Sequence, residues 1–249
     1  MTSLLHLDSS ANCSVESVSR ALTALFADTW RARHGSTGYR YRDLVADPVP
    51  PLTTAYCALG RRLERHDLAP PTSVAELVET PAEQGEWAVT HPLITEVLTA
   101  GTILIGAPMY NYSVSASLKA WIDRVSFPGA FTDPQTRENL LCDTQVVVIS
   151  ARGGTYSAGS PREAWDFQTP YLRVYLAKQG VAQENMHFIT AELTLADVAP
   201  HLAPFQSQAA HSLATARAQV IELAVMQVTE TVMPNRWKTA TVGFTGRGS

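Results

Sequence analysis

Cysteine is scarce in this chain, and so are histidine pairs. The 249 residues include three cysteines, Cys13, Cys57 and Cys142, none of them in a CxxC pair. An odd number of scattered cysteines is typical of a reducing compartment rather than of a disulfide framework. The seven histidines form no HxH or HxxxH pair, so we expect no metal site. Cys13 is the one cysteine that we expect beside a ligand.

The chain also lacks an excess of basic charge and long apolar runs. Its 19 Lys and Arg residues against 23 Asp and Glu residues give a formal net charge of -4 and a pI of about 6.0. We therefore expect no nucleic-acid partner, which a basic surface would attract. No apolar run approaches the ~20 residues of a membrane helix. The chain enters a strand pattern at Leu4 without a leader sequence, so we expect a cytoplasmic protein with no membrane partner.

The usual glycine-rich phosphate motifs are missing as well. There is neither a GxGxxG fingerprint nor a P-loop ending in GK[ST], which argues against dinucleotide folds and P-loop enzymes. A serine-rich loop follows the first strand instead, and Ser10, Ser17 and Ser19 offer hydroxyl donors. The helix after it supplies free N–H groups that suit a phosphate dianion. Alternatively, some of these serines only cap the helix.

Short apolar, β-branched runs alternate with helical patterns along the chain. Alternation of this kind predicts a parallel sheet with helices on both faces. The predicted strands are 4–7, 39–43, 102–105, 145–150 and 186–190. Two of the predicted helices begin near Ser17 and at Thr80. Three others cover 118–125, 165–178 and 205 to about 232. The fold class is therefore α/β, with a five-stranded parallel sheet as the middle of three layers.

Prolines set several of the predicted boundaries. Thr80-Pro81-Ala82-Glu83 has the pattern of a capping box with proline at the first helical position. Pro92 predicts a kink or restart of that helix, and Pro170 predicts a restart of the next-to-last one. Residues 44–80 show no clear period and are predicted to be irregular. We expect one domain over residues 1–233 and a mobile tail over 234–249.

Two further loops follow buried strands. The first contains Met109, Tyr110, Asn111 and Tyr112, and it leads into a helix whose apolar residues recur at i, i+3, i+4 and i+7. The second is the run 151–154, which ends in two glycines. Ligands of open α/β sheets bind outside the carboxyl ends of the strands. A site is expected here, although the aromatics could equally be packing residues and the glycines a plain turn.

The run PMYNYSVSASLKAWIDRV resembles the flavin-contacting loop and following helix of the FMN-dependent NADH:quinone oxidoreductases, or azoreductases, which have a flavodoxin-like fold. LHLDSS followed by SVESVSRALTALF is similar to the phosphate loop of that family. The resemblance extends from Leu4 to about Gly180. It implies FMN as cofactor, NADH or NADPH as electron donor, a small-molecule electron acceptor and a homodimer.

The resemblance also assigns residues to the flavin. Asn111 is implied as the donor to flavin N5, and Asn111 and Tyr112 are the catalytic candidates. The protons for the acceptor come from solvent or from a nearby tyrosine. The segment 151–154 resembles the SRGG segment of the family, with alanine in place of the first serine. The implied cofactor-binding residues are Ser10, Ser17, Val18, Ser19, Pro108, Met109, Tyr110, Asn111, Tyr112, Ala151, Arg152, Gly153 and Gly154.

We expect two-electron transfer from NAD(P)H through the flavin to a quinone, azo or related acceptor. Three alternatives stay open at this stage. The first is a specialised pathway reductase on the same scaffold, the second is a flavodoxin-type electron carrier, and the third is a binding protein without catalysis. The alanine at position 151, the segment 131–143 without the usual glycine, and the tail leave the substrate open.

Overall fold

The computed structural model describes residues 2–12, 16–65 and 71–226. Its strands are β1 (Leu4–Asp8), β2 (Tyr39–Asp43), β3 (Thr102–Pro108), β4 (Gln145–Ala151) and β5 (Met186–Ala191). Its α-helices are α1 (Val18–His34), α2 (Thr54–Arg65), α3 (Pro81–Leu98), α4 (Ala116–Val125), α5 (Gln168–Lys178) and α6 (Gln206–Met226). Short 3-10 helices lie at Pro71–Leu77, Glu163–Trp165, Gln183–Asn185 and Pro200–Phe205.

The five strands form one parallel sheet in the order β2-β1-β3-β4-β5. Leu7 of β1 lies between Arg42 of β2 and Ile105 of β3, and Ile105 faces Val148 of β4. The chain leaves β1 toward one edge of the sheet and returns on its other side at β3. The carboxyl ends of β1 and β3 therefore flank the switch point of the topology, where open α/β folds bind their ligands.

Helices cover both faces of the sheet, which explains why the central strands are continuously apolar. Leu5, Ile103 and Val146 point into a core that includes residues of α2, α3, α4 and α5. Leu104 and Val147 point the opposite way, into a core made with α1 and α6. The predicted three-layer α/β fold with a five-stranded parallel sheet is confirmed.

Three expectations about the helices were wrong. Residues 44–80 contain α2 and a 3-10 helix, because Tyr56, Leu59 and Leu63 do follow a helical period. Pro92 lies inside an unbroken α3, so the helix does not restart there. Helix α5 begins at Gln168. Pro170 is therefore in its first turn, where a missing N–H leaves no bond unmade.

The predicted start of α3 is confirmed, with one change in its hydrogen bonds. Thr80 is the N-cap and its side chain accepts a hydrogen bond from Glu83 N at 3.2 Å. In a capping box the carboxylate returns to the N-cap N–H. Here the Glu83 carboxylate accepts from Glu79 N at 2.8 Å and pairs with Arg62. The same acid therefore fixes the approach to α3 and joins it to α2.

Several expectations fall on residues that the structure does not describe. These are Cys13, the end of the last helix beyond Met226, and the tail at 234–249. Within the described ranges, no helix is both long enough and apolar enough to cross a membrane. The same ranges contain no group of three or more His, Cys, Asp or Glu side chains placed to hold a metal ion.

Candidate cofactor and active site

A cavity of about 400 Å³ opens at the carboxyl ends of β1, β3 and β4. The structure brings ten of the predicted residues together in its wall: Ser10, Ser17, Val18, Ser19, Pro108, Met109, Tyr110, Ala151, Gly153 and Gly154. Asn111, Tyr112 and Arg152 are outside that lining. All three predicted loops thus meet at one place, although they are separated by up to about 140 positions in the sequence.

The serines of the first loop divide into anchors and donors. Ser9 is an anchor, since its hydroxyl donates to Gly106 O at 2.7 Å. Ser17 caps α1 by accepting from Arg20 N at 3.3 Å, and its Oγ lies 3.2 Å from Ser19 Oγ. The capping alternative is therefore correct for Ser17. The bond between the Ser17 and Ser19 hydroxyls uses one of their two hydrogens, so this pair keeps one hydroxyl donor for a ligand in the cavity.

A buried carboxylate lies below this loop, at the end of β1. Asp8 accepts hydrogen bonds from Thr23 Oγ1 at 2.8 Å and from the Tyr41 hydroxyl at 3.1 Å. Burial and the neighbouring Asp8 charge raise the pKa of Tyr41, so its hydroxyl stays protonated and remains a donor. Gly106 on β3 passes directly beside this carboxylate, and any side chain there would come within 2.4 Å of Asp8 Oδ1.

The second loop is a tight two-residue turn with unusual backbone angles. Tyr110 and Ser113 exchange both backbone hydrogen bonds, at 3.0 and 3.1 Å. The two residues between them have positive φ, 48° for Asn111 and 71° for Tyr112. Asparagine adopts this conformation readily, whereas a tyrosine there is strained. Strain of this kind is often found at functional sites.

Tyr110 connects the second loop to the first. Its hydroxyl accepts a hydrogen bond from Ala11 N at 3.0 Å and lies 3.5 Å from Ser10 Oγ. The Asn111 backbone N–H makes no hydrogen bond within the described part of the chain. It is therefore available to a ligand, whereas the Tyr112 carbonyl accepts from Phe167 N at 3.1 Å.

The third loop presents main chain rather than side chains. The buried Arg152 guanidinium donates to Asp166 at 2.9 Å and to Thr169 at 2.6 Å, so its side chain is structural. The Arg152 carbonyl accepts from Thr194 N at 2.9 Å. A Cβ on Gly153 would lie 2.6 Å from Leu195 Cδ1. Glycine therefore allows the segment after β5 to approach this loop closely.

Sequence reasoning missed part of the cavity wall. The missed residues are Asn12, Glu16, Tyr156, Arg162, Thr194, Leu195, His201 and Leu202. Thr194 and Leu195 follow the carboxyl end of β5, so the rule that ligands bind beyond strand ends could have indicated them. Tyr156 and Arg162 belong to a long connection with no period of its own. Glu192 holds that connection in place by accepting from Thr155 Oγ1 and Tyr156 N, both at 2.7 Å.

An aromatic cluster stands beside the turn. The Tyr112 ring lies 5.6 Å from the Trp165 ring and 6.2 Å from the Tyr156 ring, both edge to face. Tyr112 is 42% exposed and Trp165 is 47% exposed. Arg162 lies 5.9 Å over the Trp165 ring. These side chains place exposed aromatic faces and edges next to the cavity, which are suited to packing against planar molecules.

The chain is similar to known protein families and sequences. A family model described as a flavodoxin-like fold matches residues 2–218. An FMN-dependent NADH:quinone oxidoreductase of Nocardia farcinica is 42% identical over 206 residues, which cover 82% of this chain and 88% of the relative. A protein of the same name from Kineococcus radiotolerans is 40% identical over 224 residues, covering 90% of this chain and 99% of the relative.

Solved structures share the fold at lower sequence identity. An azoreductase from Bacillus anthracis str. Sterne superposes with a TM-score of 0.69 at 20% identity, covering 90% of this chain and 99% of the other. An FMN-dependent NADH-azoreductase from Bacillus anthracis str. Ames Ancestor, in complex with FMN, gives a TM-score of 0.70 at 18% identity, with 90% and 98% covered. At such identities the likeness shows the fold.

Proposed function

We propose that this chain, which belongs to the flavodoxin-like family of FMN-dependent NADH:quinone oxidoreductases, is itself an FMN-dependent oxidoreductase. NADH is the electron donor, and a quinone or an azo compound is the acceptor. The observation that carries the proposal is the meeting of the serine loop, the Asn111 turn and the glycine loop around one cavity. We assign the FMN-binding domain to residues 1–233.

The first loop fits the phosphate of FMN. Ser10 and Ser19 are buried yet line the cavity, and their hydroxyls are donors at the amino end of α1. That helix end adds unpaired N–H groups and a partial positive charge, which stabilise a dianion. No lysine or arginine lines the cavity within this loop. Neutral donors therefore supply the recognition.

The opposite wall fits a flat heteroaromatic ring. Pro108, Met109 and Leu195 give it apolar surface, while Gly153 and Gly154 bring main chain to the cavity. Apolar walls with a few polar backbone groups are the usual construction of a cofactor pocket. Ala151 contributes to this wall without a hydroxyl. Its carbonyl accepts from Met109 N at 2.9 Å and so ties the second and third loops together.

FMN, when bound, would supply the redox chemistry, which is hydride transfer from NADH and two-electron reduction of the acceptor. The protein binds the flavin, orients the donor and the acceptor, and excludes water from the site. Asn111 is held with a free backbone N–H by its turn, and we assign that donor to the flavin. We assign the exposed Tyr112 and Trp165 rings to packing against the planar donor and acceptor. Asn111 and Tyr112 stay the predicted catalytic residues.

Reduction of a quinone by NADH takes one proton besides the transferred hydride, and that proton can come from solvent, because the Tyr112 ring beside the cavity is 42% exposed. The choice of NADH follows the names of the relatives, and NADPH stays an alternative donor to be measured. A homodimer and a cytoplasmic location stay predictions. The exposed rings of Trp165 and Phe167, 47% and 59% accessible, support a contact with a second copy at this rim.

Two measurements test the function. We expect the purified chain to quench FMN fluorescence on titration, with one FMN bound per chain, and the loaded protein to turn over NADH catalytically under anaerobic conditions only when menadione or an azo dye is added. A protein that stays colourless with FMN would overturn the proposal. Reoxidation only by a one-electron protein partner would instead support the electron-carrier alternative.

Tyr110→Phe tests the connection between the first two loops. The change removes the hydroxyl that accepts from Ala11 N at 3.0 Å and leaves the ring in place. We expect the Kd for FMN to rise by about tenfold or somewhat less, the value of one hydrogen bond. Tyr175→Phe is the matched control, because that hydroxyl bonds Ser126 at 3.2 Å and is outside the cavity lining. Equal Kd values for the two variants would contradict the assignment.

Replacing Tyr112 separates its backbone strain from its ring. Tyr112→Gly and Tyr112→Ala both remove the ring, but only glycine accepts a φ of 71° without strain. We expect the glycine variant to be more stable than the alanine variant by about 1 kcal/mol. Both should lose NADH turnover by a similar factor, whereas Tyr112→Phe should retain it. Chemical unfolding and steady-state kinetics measure the two effects, and equal stability of the Gly and Ala variants would contradict the strain.

A further inference from the structure

We propose that Arg20 is a positioning residue for the phosphate of FMN, acting through the Ser10 carbonyl rather than by touching the ligand. The inference rests on the proposed function, since it presupposes FMN in the cavity. It concerns a polar cluster behind the serine loop, formed by Asp8, Ser10, Arg20, Tyr41 and Asp43.

Arg20 contacts both sides of the loop and the edge of the sheet. It belongs to the first turn of α1, just after Ser17 and Ser19. Its Nη2 donates to Ser10 O at 2.7 Å. The same guanidinium forms a bidentate ion pair with Asp43 at the end of β2, with N···O distances of 2.7 and 2.9 Å. One side chain thus fixes the distance between Ser10, the helix end and the sheet.

Asp43 is itself immobilised, so it can serve as an anchor. Its Oδ1 accepts from Val45 N at 2.9 Å and from Ala46 N at 3.2 Å. The hydrogen bond from Arg20 is the largest cause that lowers the pKa of Asp43 to about 2. The pair therefore stays charged throughout the neutral range. A planar guanidinium in a bidentate pair with a carboxylate has little freedom to rotate.

The charge of Arg20 is already used, which argues against direct phosphate binding. Besides Asp43, its Nη1 lies 3.8 Å from Asp8 Oδ2, so two carboxylates face one guanidinium. The side chain is 10% exposed, and Arg20 is not among the residues that line the cavity. Its effect on the ligand must therefore pass through Ser10, which does line the cavity.

Loss of Arg20 would act on the phosphate in two ways. The Ser10 carbonyl would lose the guanidinium that donates to it. The loop would then no longer be held in the geometry that turns the Ser10 hydroxyl toward the cavity. Asp8 and Asp43 would also lose the cation that offsets them, and they lie just behind the site of a dianion. Both effects are specific to the phosphate and leave the flavin ring wall unchanged.

The test compares FMN with riboflavin, which has the same ring but no phosphate. We expect Arg20→Lys to raise the Kd for FMN by about tenfold or more. The Kd for riboflavin should change less than twofold. Arg20→Met should raise the FMN value further. Fluorescence quenching gives the constants of the unaltered chain and of both variants for the two ligands, without any measurement of turnover. Asp43→Asn, which keeps the shape of the anchor, should reproduce part of the loss if an Arg20 variant fails to fold.

Arg33→Lys is the control, because that exposed arginine lies on the same helix far from the loop. It should leave both constants unchanged. Equal losses for FMN and riboflavin in the Arg20 variants would show a general structural role and overturn the inference, as would an unchanged FMN constant. If the unaltered chain binds neither ligand, the proposed function fails first, so the two failures are distinguishable.

Discussion

Arg124→Ala should lower the free energy of unfolding by about 3 kcal/mol, because it removes one partner of a buried charged cluster. The Arg124 side chain is fully buried on α4. It pairs with Glu86 of α3 and donates to the carbonyls of Pro50 and Pro51, both at 2.9 Å. Its guanidinium also lies 5.2 Å from the centre of the Tyr56 ring. The variant leaves these acceptors and a carboxylate without their donor.

Urea unfolding of the two proteins gives the difference. Lys119→Ala is the matched control on the same helix, since the Lys119–Asp123 pair is exposed. Exposed pairs contribute between about 0 and 1 kcal/mol. A loss of stability for Arg124→Ala no larger than that of the control would contradict the assigned role of the cluster.

Gly106→Ala should lower the free energy of unfolding by about 2 kcal/mol, the usual result of overpacking. The new Cβ would come within 2.4 Å of Asp8 Oδ1 and 3.1 Å of Thr23 Cγ2. Asp8 cannot move aside freely, because Thr23 and Tyr41 both hold its carboxylate. The substitution therefore disturbs the end of β1 where the cofactor loop begins, and FMN affinity should fall with stability.

Gly85→Ala provides the opposite expectation in the same assay. Gly85 lies inside α3, and a Cβ there would have no heavy atom within 4 Å. Alanine is favoured over glycine in a helix interior by roughly 0.5 to 1 kcal/mol. Gly85→Ala should thus stabilise the chain while Gly106→Ala destabilises it. Shifts of the same sign would contradict the close contact with Asp8.

The middle of the sheet could be predicted from the sequence because β1, β3 and β4 are buried on both faces. A strand such as β4 is mostly apolar, so its run Val146, Val147 and Val148 identifies it without any knowledge of its neighbours. Helix α2 was missed for the opposite reason. Only three or four of its residues face the core, and the prolines before it hide the start of the helical period.

The site could be predicted only as far as strand ends and short motifs reach. Ser10, Met109 and Gly153 follow strands directly, and the structure brings them together. The hydrogen bond from Ala11 N to the Tyr110 hydroxyl could not be predicted, because it joins positions 99 residues apart. The positive φ of Tyr112 gave no signal either, since the usual sign of such a turn is a glycine.

Arg152 shows what a sequence motif leaves open about a side chain. The glycine loop was rightly placed at the cavity, but the guanidinium of Arg152 points away from it toward Asp166 and Thr169. A sequence motif records that a residue is needed and not which of its groups is used. Its neighbours Ala151 and Gly153 line the cavity, whereas Arg152 itself does not.

An anaerobic titration of the FMN-loaded protein with NADH tests the central claim most directly. The account predicts that one NADH per chain bleaches the absorbance of the bound flavin and that one equivalent of menadione restores it. A flavin that binds but stays yellow under excess NADH would contradict the account.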